Sequence, residues 1–233
     1  CTLTIPAGLI YGPNKVTAPE ITLNYSTKAP VPIDANPVMA TSSKAVALYG
    51  YLKNNYGNGI ISGMMASVAW NNDASEQVYQ WTGKYPAING YDYIHMPASV
   101  ANANWINYND ITPVKSWADN GGIVTIGWHW LVPKKKVEAS TGGGAASAYS
   151  GLNPNTDYTY VPSETEFDLK NATVEGTWEK AFVDYDLANL AAYPKLLKDA
   201  DIPVLWRPLH EAAGGWFWWG TDAEAFKALW KYM

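Results

Sequence analysis

The chain has 233 residues, of which 48% are hydrophobic and 16% charged, so it has enough apolar surface to fold and is not intrinsically disordered. Its 16 basic and 21 acidic residues give a net charge of -5, which excludes the basic surface of a nucleic-acid-binding protein and disfavours an anionic membrane as partner. The 12 Trp and 16 Tyr outnumber the 4 Phe, and this excess of flat rings with a polar group favours the binding of sugars.

Residues 1–40 are rich in proline, which cannot donate to a strand ladder, so we predict an extended leader with edge strands rather than a domain. Cys1 is the single cysteine, which excludes an internal disulfide. A chain that begins with Cys is also what remains when a bacterial lipoprotein signal is cleaved. We therefore expect a possible lipid anchor at Cys1 and a secreted or cell-surface lipoprotein, the alternative being a numbering that happens to begin there.

Helical and extended patterns alternate from Thr41 onward. The first helix is predicted to be capped by Ser42 or Ser43 and to end at Gly57. Four short apolar strands follow, and we place them at residues 59–65, 85–92, 122–128 and 202–209. Their helices are predicted near residues 76–81, 111–120 and 184–200, with the last one starting at Thr221, where Glu224 gives the spacing of a capping box. This alternation indicates a parallel sheet covered on both faces, so the fold class is α/β.

The strand pattern alone leaves a doubly wound sheet and a barrel open. Neither residues 59–63 nor the glycines at 142–144 give the glycine fingerprint of a dinucleotide site, and there is no Walker sequence. Residues 131–183 form a far longer connection than usual, and we predict that they make a functional rim.

The three histidines, His95, His129 and His210, all follow predicted parallel strands. In a barrel, the carboxyl ends of the strands are the face where active sites lie. A zinc site is disfavoured, because no two histidines have the spacing of a helical metal site and zinc usually takes three protein ligands. We therefore predict neither a metal nor a cofactor.

Glu211 directly follows His210 and precedes an aromatic run at residues 216–219. A carboxyl group beside a poorly hydrated, indole-rich surface is favoured in its protonated form, which a general acid needs near neutral pH. The alternative is that Glu211 pairs with Arg207 or another base and stabilises a loop. The guanidinium fork of Arg207 could also orient a carboxylate. The indoles of the run cannot all face inward, so at least one is expected to meet solvent or ligand.

Residues 206–220, WRPLHEAAGGWFWWG, closely resemble the acid/base signature of glycoside hydrolase family 26, whose best-known members are endo-β-1,4-mannanases. The resemblance extends to the first strand at residues 61–63, to the third-strand tip at residues 127–129 and to residues 167–178. It covers most of the chain after Thr41 and does not cover the leader.

This resemblance implies a (β/α)8 TIM barrel and a retaining mechanism with two glutamates. Glu211 matches the general acid/base, and His210 matches the histidine that hydrogen-bonds and orients the nucleophile. Trp216 matches an aromatic residue of the sugar sites, and His129 matches a polar sugar contact. Five further substrate contacts are predicted without a firm role, namely Asp92, His95, Trp128, Trp130 and Arg207.

The expected substrate is a β-1,4-mannan, and three alternatives stay open. The first two are a β-glucanase and a β-1,3-xylanase of the same family, and the third is a non-catalytic glycan-binding barrel. The Leu209 form of the signature and its Trp-Phe-Trp-Trp run are more typical of mannanases.

The predicted strands account for only four βα units, whereas a barrel has eight. We therefore expect residues 41–233 to be the N-terminal part of a barrel, with the nucleophilic glutamate beyond Met233 and the C-terminal half as a required partner, in the same protein or a second chain. The isolated 233 residues are expected to be insoluble, molten or self-associated, and to have no hydrolase activity. The acidic residues of the rim are weaker candidates for the nucleophile; they are Glu138, Asp157, Glu164 and Glu166.

Overall fold

The computed structural model describes residues 2–10, 16–24, 42–96, 106–138 and 145–233. The chain divides into two compact units, Cys1–Ala35 and Asn36–Met233. In the first unit, β1 (Thr2–Ile5) and β2 (Ile21–Asn24) form an antiparallel pair. Cys1 lies outside the described residues, so its lipid anchor stays a prediction, and so does the extended conformation of residues 25–40.

The second unit contains helices and strands in alternation. In chain order they are α1 (Ser43–Asn55), β3 (Gly63–Met65), α2 (Asp73–Thr82), β4 (Ile88–Asp92), α3 (Thr112–Asp119), β5 (Ile123–Trp128), β6 (Val132–Pro133), α4 (Ala145–Ser150), β7 (Tyr158–Thr159), α5 (Trp178–Asp199), β8 (Val204–Pro208) and α6 (Ala223–Tyr232).

Four of these strands form a parallel sheet in the order β3-β4-β5-β8. In its register, Asp92 lies opposite Gly127, and Gly127 lies opposite Arg207. The carboxyl ends of β4, β5 and β8 therefore lie side by side. The residues that follow these three strands come together along that edge of the sheet. The helices between the strands make this an α/β arrangement, as the sequence pattern predicts.

The first predicted strand, residues 59–65, is shorter and more exposed than expected. Only Gly63–Met65 pair, and Ile60 is 98% exposed. The physical reason is that β3 is an edge of the described sheet, bonded to β4 alone. An edge strand has one neighbour to bury it, so its apolar sequence does not guarantee a buried position.

Side-chain caps set several helix starts. Ser42 Oγ accepts from the backbone N–H of Ala45 at the start of α1, as predicted. Helix α5 begins at Trp178 rather than near residue 184, because Thr177 caps it. Helix α6 is capped by Asp222 rather than by the predicted Thr221. These caps satisfy backbone donors that a helix leaves free at its first turn.

The interior is built largely from tryptophan. Trp128, Trp130, Trp218 and Trp219 are fully buried, and the first two stack with ring centroids 4.1 Å apart. Trp218 Nε1 donates to the carbonyl oxygen of Trp130 at 2.7 Å. Much of the tryptophan excess therefore serves packing and not a sugar surface, because a buried indole contributes a large apolar area once its N–H has an acceptor. Within the described ranges, no helix is both long and apolar enough to cross a bilayer.

The predicted rim, residues 131–183, includes the antiparallel pair of β6 and β7. Its ion pairs include Lys134–Glu164 at 3.0 Å, Lys135–Glu166 at 2.7 Å and Lys136–Glu138 at 2.9 Å. The glycines at 142–144 lie outside the described residues. The described part of the rim is thus an organised structure, since its charged groups have specific partners.

Candidate active site

Two of the three histidines meet at the carboxyl edge of the sheet. His129 follows β5, His210 follows β8, and their Nε2 atoms lie 3.0 Å apart. The level ends of the parallel strands bring them together, although 81 positions separate them in the sequence. The expectation that histidines gather at this edge therefore holds for His129 and His210.

Asp92 is the last residue of β4 and contacts His129. The Asp92 residue is 5% exposed to solvent. Its Oδ2 lies 2.5 Å from His129 Nδ1, while its Oδ1 accepts from the backbone N–H groups of Ile94 at 2.9 Å and His129 at 3.0 Å. A Cβ at Gly127 would lie 3.1 Å from Oδ2, so the glycine leaves room for this carboxylate. The substrate contact predicted for Asp92 is corrected, because the carboxylate is buried and its oxygens are used by the protein.

His210 is buried among aromatic rings. Its imidazole lies 5.0 Å from the ring of Phe217 and 5.8 Å from that of Trp219. Burial lowers the pKa of His210, and the nearby charge of Arg207 lowers it further. His210 Nδ1 is buried and has no hydrogen-bond partner in the described part of the chain.

The backbone on either side of His210 is strained. Leu209 has φ 48° and Glu211 has φ 54°, both in the left-handed region, where each non-glycine residue costs about 1–3 kcal/mol. Two contacts hold this conformation. The Leu209 side chain is buried, and Trp219 Nε1 donates to the His210 carbonyl oxygen at 2.8 Å. The strain turns Glu211 outward from the end of β8.

Glu211 is exposed, and its Oε2 accepts from Trp216 Nε1 at 3.1 Å. The poorly hydrated surrounding predicted for this carboxyl group is therefore not present, since one indole contacts it and solvent reaches it. No ion pair of Glu211 with Arg207 or another base occurs among the described residues, which removes the alternative role for the glutamate. Glu211 is thus free to meet a ligand at the strand edge.

Trp216 is 54% exposed, whereas Phe217, Trp218 and Trp219 are buried. The prediction that at least one indole of the run meets solvent is correct, and Trp216 is that residue. Its ring covers Gly214, where an added Cβ would lie 2.2 Å from Trp216 Cζ2. Gly214 therefore lets the indole lie against the turn beside Glu211.

The other predicted contacts are Arg207, His95, Trp128 and Trp130. Arg207 is exposed on β8 and close enough to His210 for its charge to lower that pKa. His95 is half-buried beyond β4, its backbone N–H donates to Tyr108 Oη at 3.2 Å, and burial lowers its pKa. Trp128 and Trp130 are 1% and 0% exposed. The substrate contact predicted for these two indoles is therefore corrected to a packing role.

Sequence reasoning missed Tyr160 and Phe217 as part of the site. Tyr160 is 39% exposed, and its ring centroid lies 6.4 Å from that of His129 and 5.5 Å from that of Phe217. Its position in the predicted rim was the available signal. A sugar that reaches His129 would therefore meet an aromatic side chain from the rim as well as Trp216 from the turn after β8.

Asp186 of α5 was also missed. It is buried, and its Oδ2 accepts from Trp130 Nε1 at 2.6 Å. Burial raises its pKa from 3.8 to about 7, and the hydrogen bond from Trp130 opposes that rise. This carboxyl group holds the Trp130 indole in its stack with Trp128. Nothing in the helical pattern of α5 distinguishes Asp186 from the other polar residues of the helix.

A metal site is not apparent among the described residues, where no group of three or more His, Cys, Asp or Glu side chains is arranged to hold an ion. The nearest approach is the cluster of Asp92, His129 and His210. There, Nδ1 of His129 bonds to Asp92 and Nε2 faces His210, so both ring nitrogens have protein partners.

The sequence of this chain is similar to those of known glycoside hydrolases. The sequence model described as Glycosyl hydrolase family 26 matches residues 33–233. Mannan endo-1,4-beta-mannosidase A of Piromyces sp is 32% identical over 224 residues, which are 93% of this chain and 33% of that protein. The chain thus spans about a third of this curated relative.

Two solved structures are similar as well. One is the family 26 domain of an endo-beta-mannanase/endo-beta-glucanase from Prevotella bryantii, with 42% identity, TM-score 0.69, and coverage of 83% of this chain and 59% of that one. The other is a beta-mannanase from a symbiotic protist of the termite Reticulitermes speratus, complexed with gluco-manno-oligosaccharide. It has 34% identity, TM-score 0.61, and coverage of 83% of this chain and 57% of that one. These relatives imply an α/β fold of the (β/α)8 barrel type.

Proposed function

Since this chain belongs to glycosyl hydrolase family 26, we propose that it supplies the acid/base side of a retaining endo-β-1,4-mannanase. The observation that carries the proposal is the position of Glu211. This carboxyl group is exposed at the carboxyl end of β8, beside the paired histidines and an exposed indole. The mannanase relatives support a mannan as the substrate.

The proposed reaction is a double displacement. Glu211 donates its proton to the glycosidic oxygen as the bond to the anomeric carbon breaks, and a second carboxylate, roughly 5 to 5.5 Å away, bonds to that carbon. Glu211, now ionised, then takes a proton from water. The water oxygen displaces the carboxylate from the sugar, which restores both groups.

Three neighbours of Glu211 have proposed roles. His210 orients the nucleophile, His129 contacts the sugar through the exposed edge of its ring, and Trp216 stacks on a sugar ring. The 54% exposure of Trp216 and the half-exposed imidazole of His129 support direct contact with substrate. The indole N–H of Trp216 holds Oε2 of Glu211, so Oε1 is the oxygen that we assign to the transferred proton.

The nucleophile is proposed to be a glutamate outside these 233 residues, in a C-terminal half of the barrel. The acidic side chains of the rim have other partners in the structure. Glu138, Glu164 and Glu166 pair with lysines, and Asp157 Oδ2 accepts from the backbone N–H of Asn153. None of these four bonds directs a carboxylate toward Glu211. The activity is accordingly proposed for a protein that carries the complete barrel.

The substrate class is tested by release of reducing ends from four polysaccharides, assayed in parallel. Hydrolysis of mannan and glucomannan, with at least about tenfold lower kcat/KM on lichenan and β-1,3-xylan, is expected of a mannanase, because such a ratio corresponds to roughly 1.4 kcal/mol of transition-state discrimination. Preference for lichenan would instead favour the β-glucanase. Binding of mannan without any hydrolysis would favour the glycan-binding barrel.

The geometry of Trp216 predicts a second result. Gly214→Ala places a methyl group where the indole lies, so the ring must move and its N–H leaves Glu211. We expect kcat on mannan to fall on the order of 10- to 100-fold, as misplacement of a positioned group by about 1 Å does. Steady-state kinetics measures this effect.

The matched control is Gly215→Ala. Gly215 has φ 74° and open space around its Cα, so alanine there strains the backbone and contacts nothing. We expect it to lower stability by roughly 1–2 kcal/mol and to leave Trp216 in place. If Gly214→Ala retained the wild-type kcat, the indole would not be positioning Glu211.

A further inference from the structure

Asp92, His129 and His210 form a continuous hydrogen-bonded series across the ends of β4, β5 and β8. We refer to it as the Asp92–His129–His210 series. The first bond joins Asp92 Oδ2 to His129 Nδ1 at 2.5 Å, and the second joins the Nε2 atoms of the two histidines at 3.0 Å. The series then ends at His210 Nδ1, which is buried and unpaired among the described residues.

The proton positions follow from the first bond. Asp92 Oδ1 accepts from two backbone N–H groups, those of Ile94 and His129, so it carries no proton. Asp92 Oδ2 faces a single partner, His129 Nδ1, and an ionised carboxylate only accepts hydrogen bonds. With Asp92 ionised, the proton of this bond lies on Nδ1 of His129. A neutral imidazole carries one N–H, so Nε2 of His129 is an acceptor.

With His129 neutral, the second bond has one donor. Two ring nitrogens 3.0 Å apart need a single proton between them, and His129 Nε2 supplies none. His210 must therefore donate from Nε2. With its one proton there, neutral His210 has a bare lone pair at Nδ1.

We propose that Asp92 is a positioning residue that sets the tautomers of both histidines, with protons on Nδ1 of His129 and Nε2 of His210. The charged and titratable groups around His210 agree with its neutral form. Burial and the charge of Arg207 lower its pKa, and Asp92 and Glu211 only partly oppose them; His129 is neutral in this arrangement and adds no charge. The bare Nδ1 also agrees with the surrounding aromatic rings, since Phe217 and Trp219 offer no acceptor for an N–H there.

This arrangement places a condition on the proposed reaction. An ionised carboxylate approaching Nδ1 would meet a lone pair, so His210 can hydrogen-bond an ionised nucleophile through Nδ1 only after it takes up a second proton. Asp92 thus acts on His210 through His129, and it determines which charge state His210 needs to orient the nucleophile. The tautomers themselves depend only on hydrogen bonds within this chain.

The direct test is ¹⁵N NMR of the imidazoles in the folded protein near neutral pH, where protonated and unprotonated ring nitrogens have well-separated shifts. With only three histidines, the spectrum is assigned by two additional variants, His95→Gln, which identifies the signals of His95, and His129→Gln, which identifies those of His129 and leaves the remainder to His210. We expect His129 protonated on Nδ1 and His210 protonated on Nε2. A spectrum with His129 protonated on Nε2, or with His210 protonated on Nδ1 alone, would overturn the proposal.

Asp92→Asn gives the complementary test. The amide oxygen keeps the two backbone N–H bonds, and the amide nitrogen replaces Oδ2 and donates to His129 Nδ1. His129 must then move its proton to Nε2, and His210 must move its proton to Nδ1. We expect both tautomers to invert, and a folded variant with wild-type tautomers would refute the role of Asp92.

Asp110→Asn is the control, because Asp110 Oδ1 accepts from the backbone N–H of Thr112 and has no contact with the series. Its imidazole spectrum should equal that of the wild type. If Asp92→Asn fails to fold, the wild-type spectrum alone decides the proposal. Neither spectrum requires hydrolytic activity, so a failure here is distinct from a failure of the mannanase assignment.

Discussion

Glu211→Ala is expected to lower kcat on β-1,4-mannan by about 10²- to 10⁴-fold, the contribution of a positioned general acid/base. The variant loses the proton that the glycosidic oxygen takes up and the base that activates water. Its loss should be smaller on an aryl glycoside with a good leaving group, because a weakly basic leaving oxygen departs without protonation. Steady-state kinetics on mannan and on an aryl mannoside measure both effects.

Glu224→Gln is the matched control for this substitution. Glu224 lies on α6 and pairs with Lys227 at the surface, so its loss should leave kcat unchanged. Equal activity of Glu211→Ala and the wild type on mannan would refute the acid/base assignment. Equal losses on mannan and on the aryl substrate would assign Glu211 to binding or structure instead of proton transfer.

Asp186→Asn is expected to stabilise the fold above neutral pH. The ordinary pKa of 3.8 is raised to about 7 in the folded state, so between these values the unfolded chain releases a proton that the folded chain keeps. Wild-type stability therefore falls as the pH rises from about 4 to about 7, by up to roughly 4 kcal/mol from this group, and changes no further above. Asparagine carries no such charge, and its oxygen still accepts from Trp130 Nε1.

The measurement is the free energy of unfolding in urea at pH 4 and pH 8. At pH 4 the variant and the wild type should differ little, and at pH 8 the variant should be the more stable by a few kcal/mol. Asp199→Asn, which removes only an exposed ion pair with Lys195, should stay within about 0.5 kcal/mol of wild type at both values. A variant less stable than wild type at pH 8 would contradict the effect of burial.

The parallel strands and the polar residues that follow them could be predicted because the relevant signals are local. Alternating apolar strands and helices indicate a parallel sheet, and such a sheet brings the residues after each strand to one edge. That reasoning correctly brings His129 and His210 together. The signature at residues 206–220 and the match of residues 33–233 then agree on family 26, which confirms the resemblance.

The errors concern burial, which depends on what packs against each residue. Trp128 and Trp130 flank a polar histidine in the sequence, and only the structure shows that Asp186 accepts the indole N–H of Trp130 and makes its burial favourable. Ile60 has the sequence of a core residue but precedes an edge strand. Glu211 is exposed because two left-handed residues turn the chain outward, and no propensity predicts that conformation for leucine or glutamate.

The left-handed backbone at Glu211 has a consequence for engineering this protein. At φ 54°, glycine would fit without the steric penalty that glutamate carries, so selection for heat resistance alone favours loss of the glutamate. A library screened only by melting temperature should therefore accumulate inactive clones at this position. A screen for stabilised variants of this protein should therefore measure activity from the first round, because thermal stability and kcat favour different amino acids at position 211.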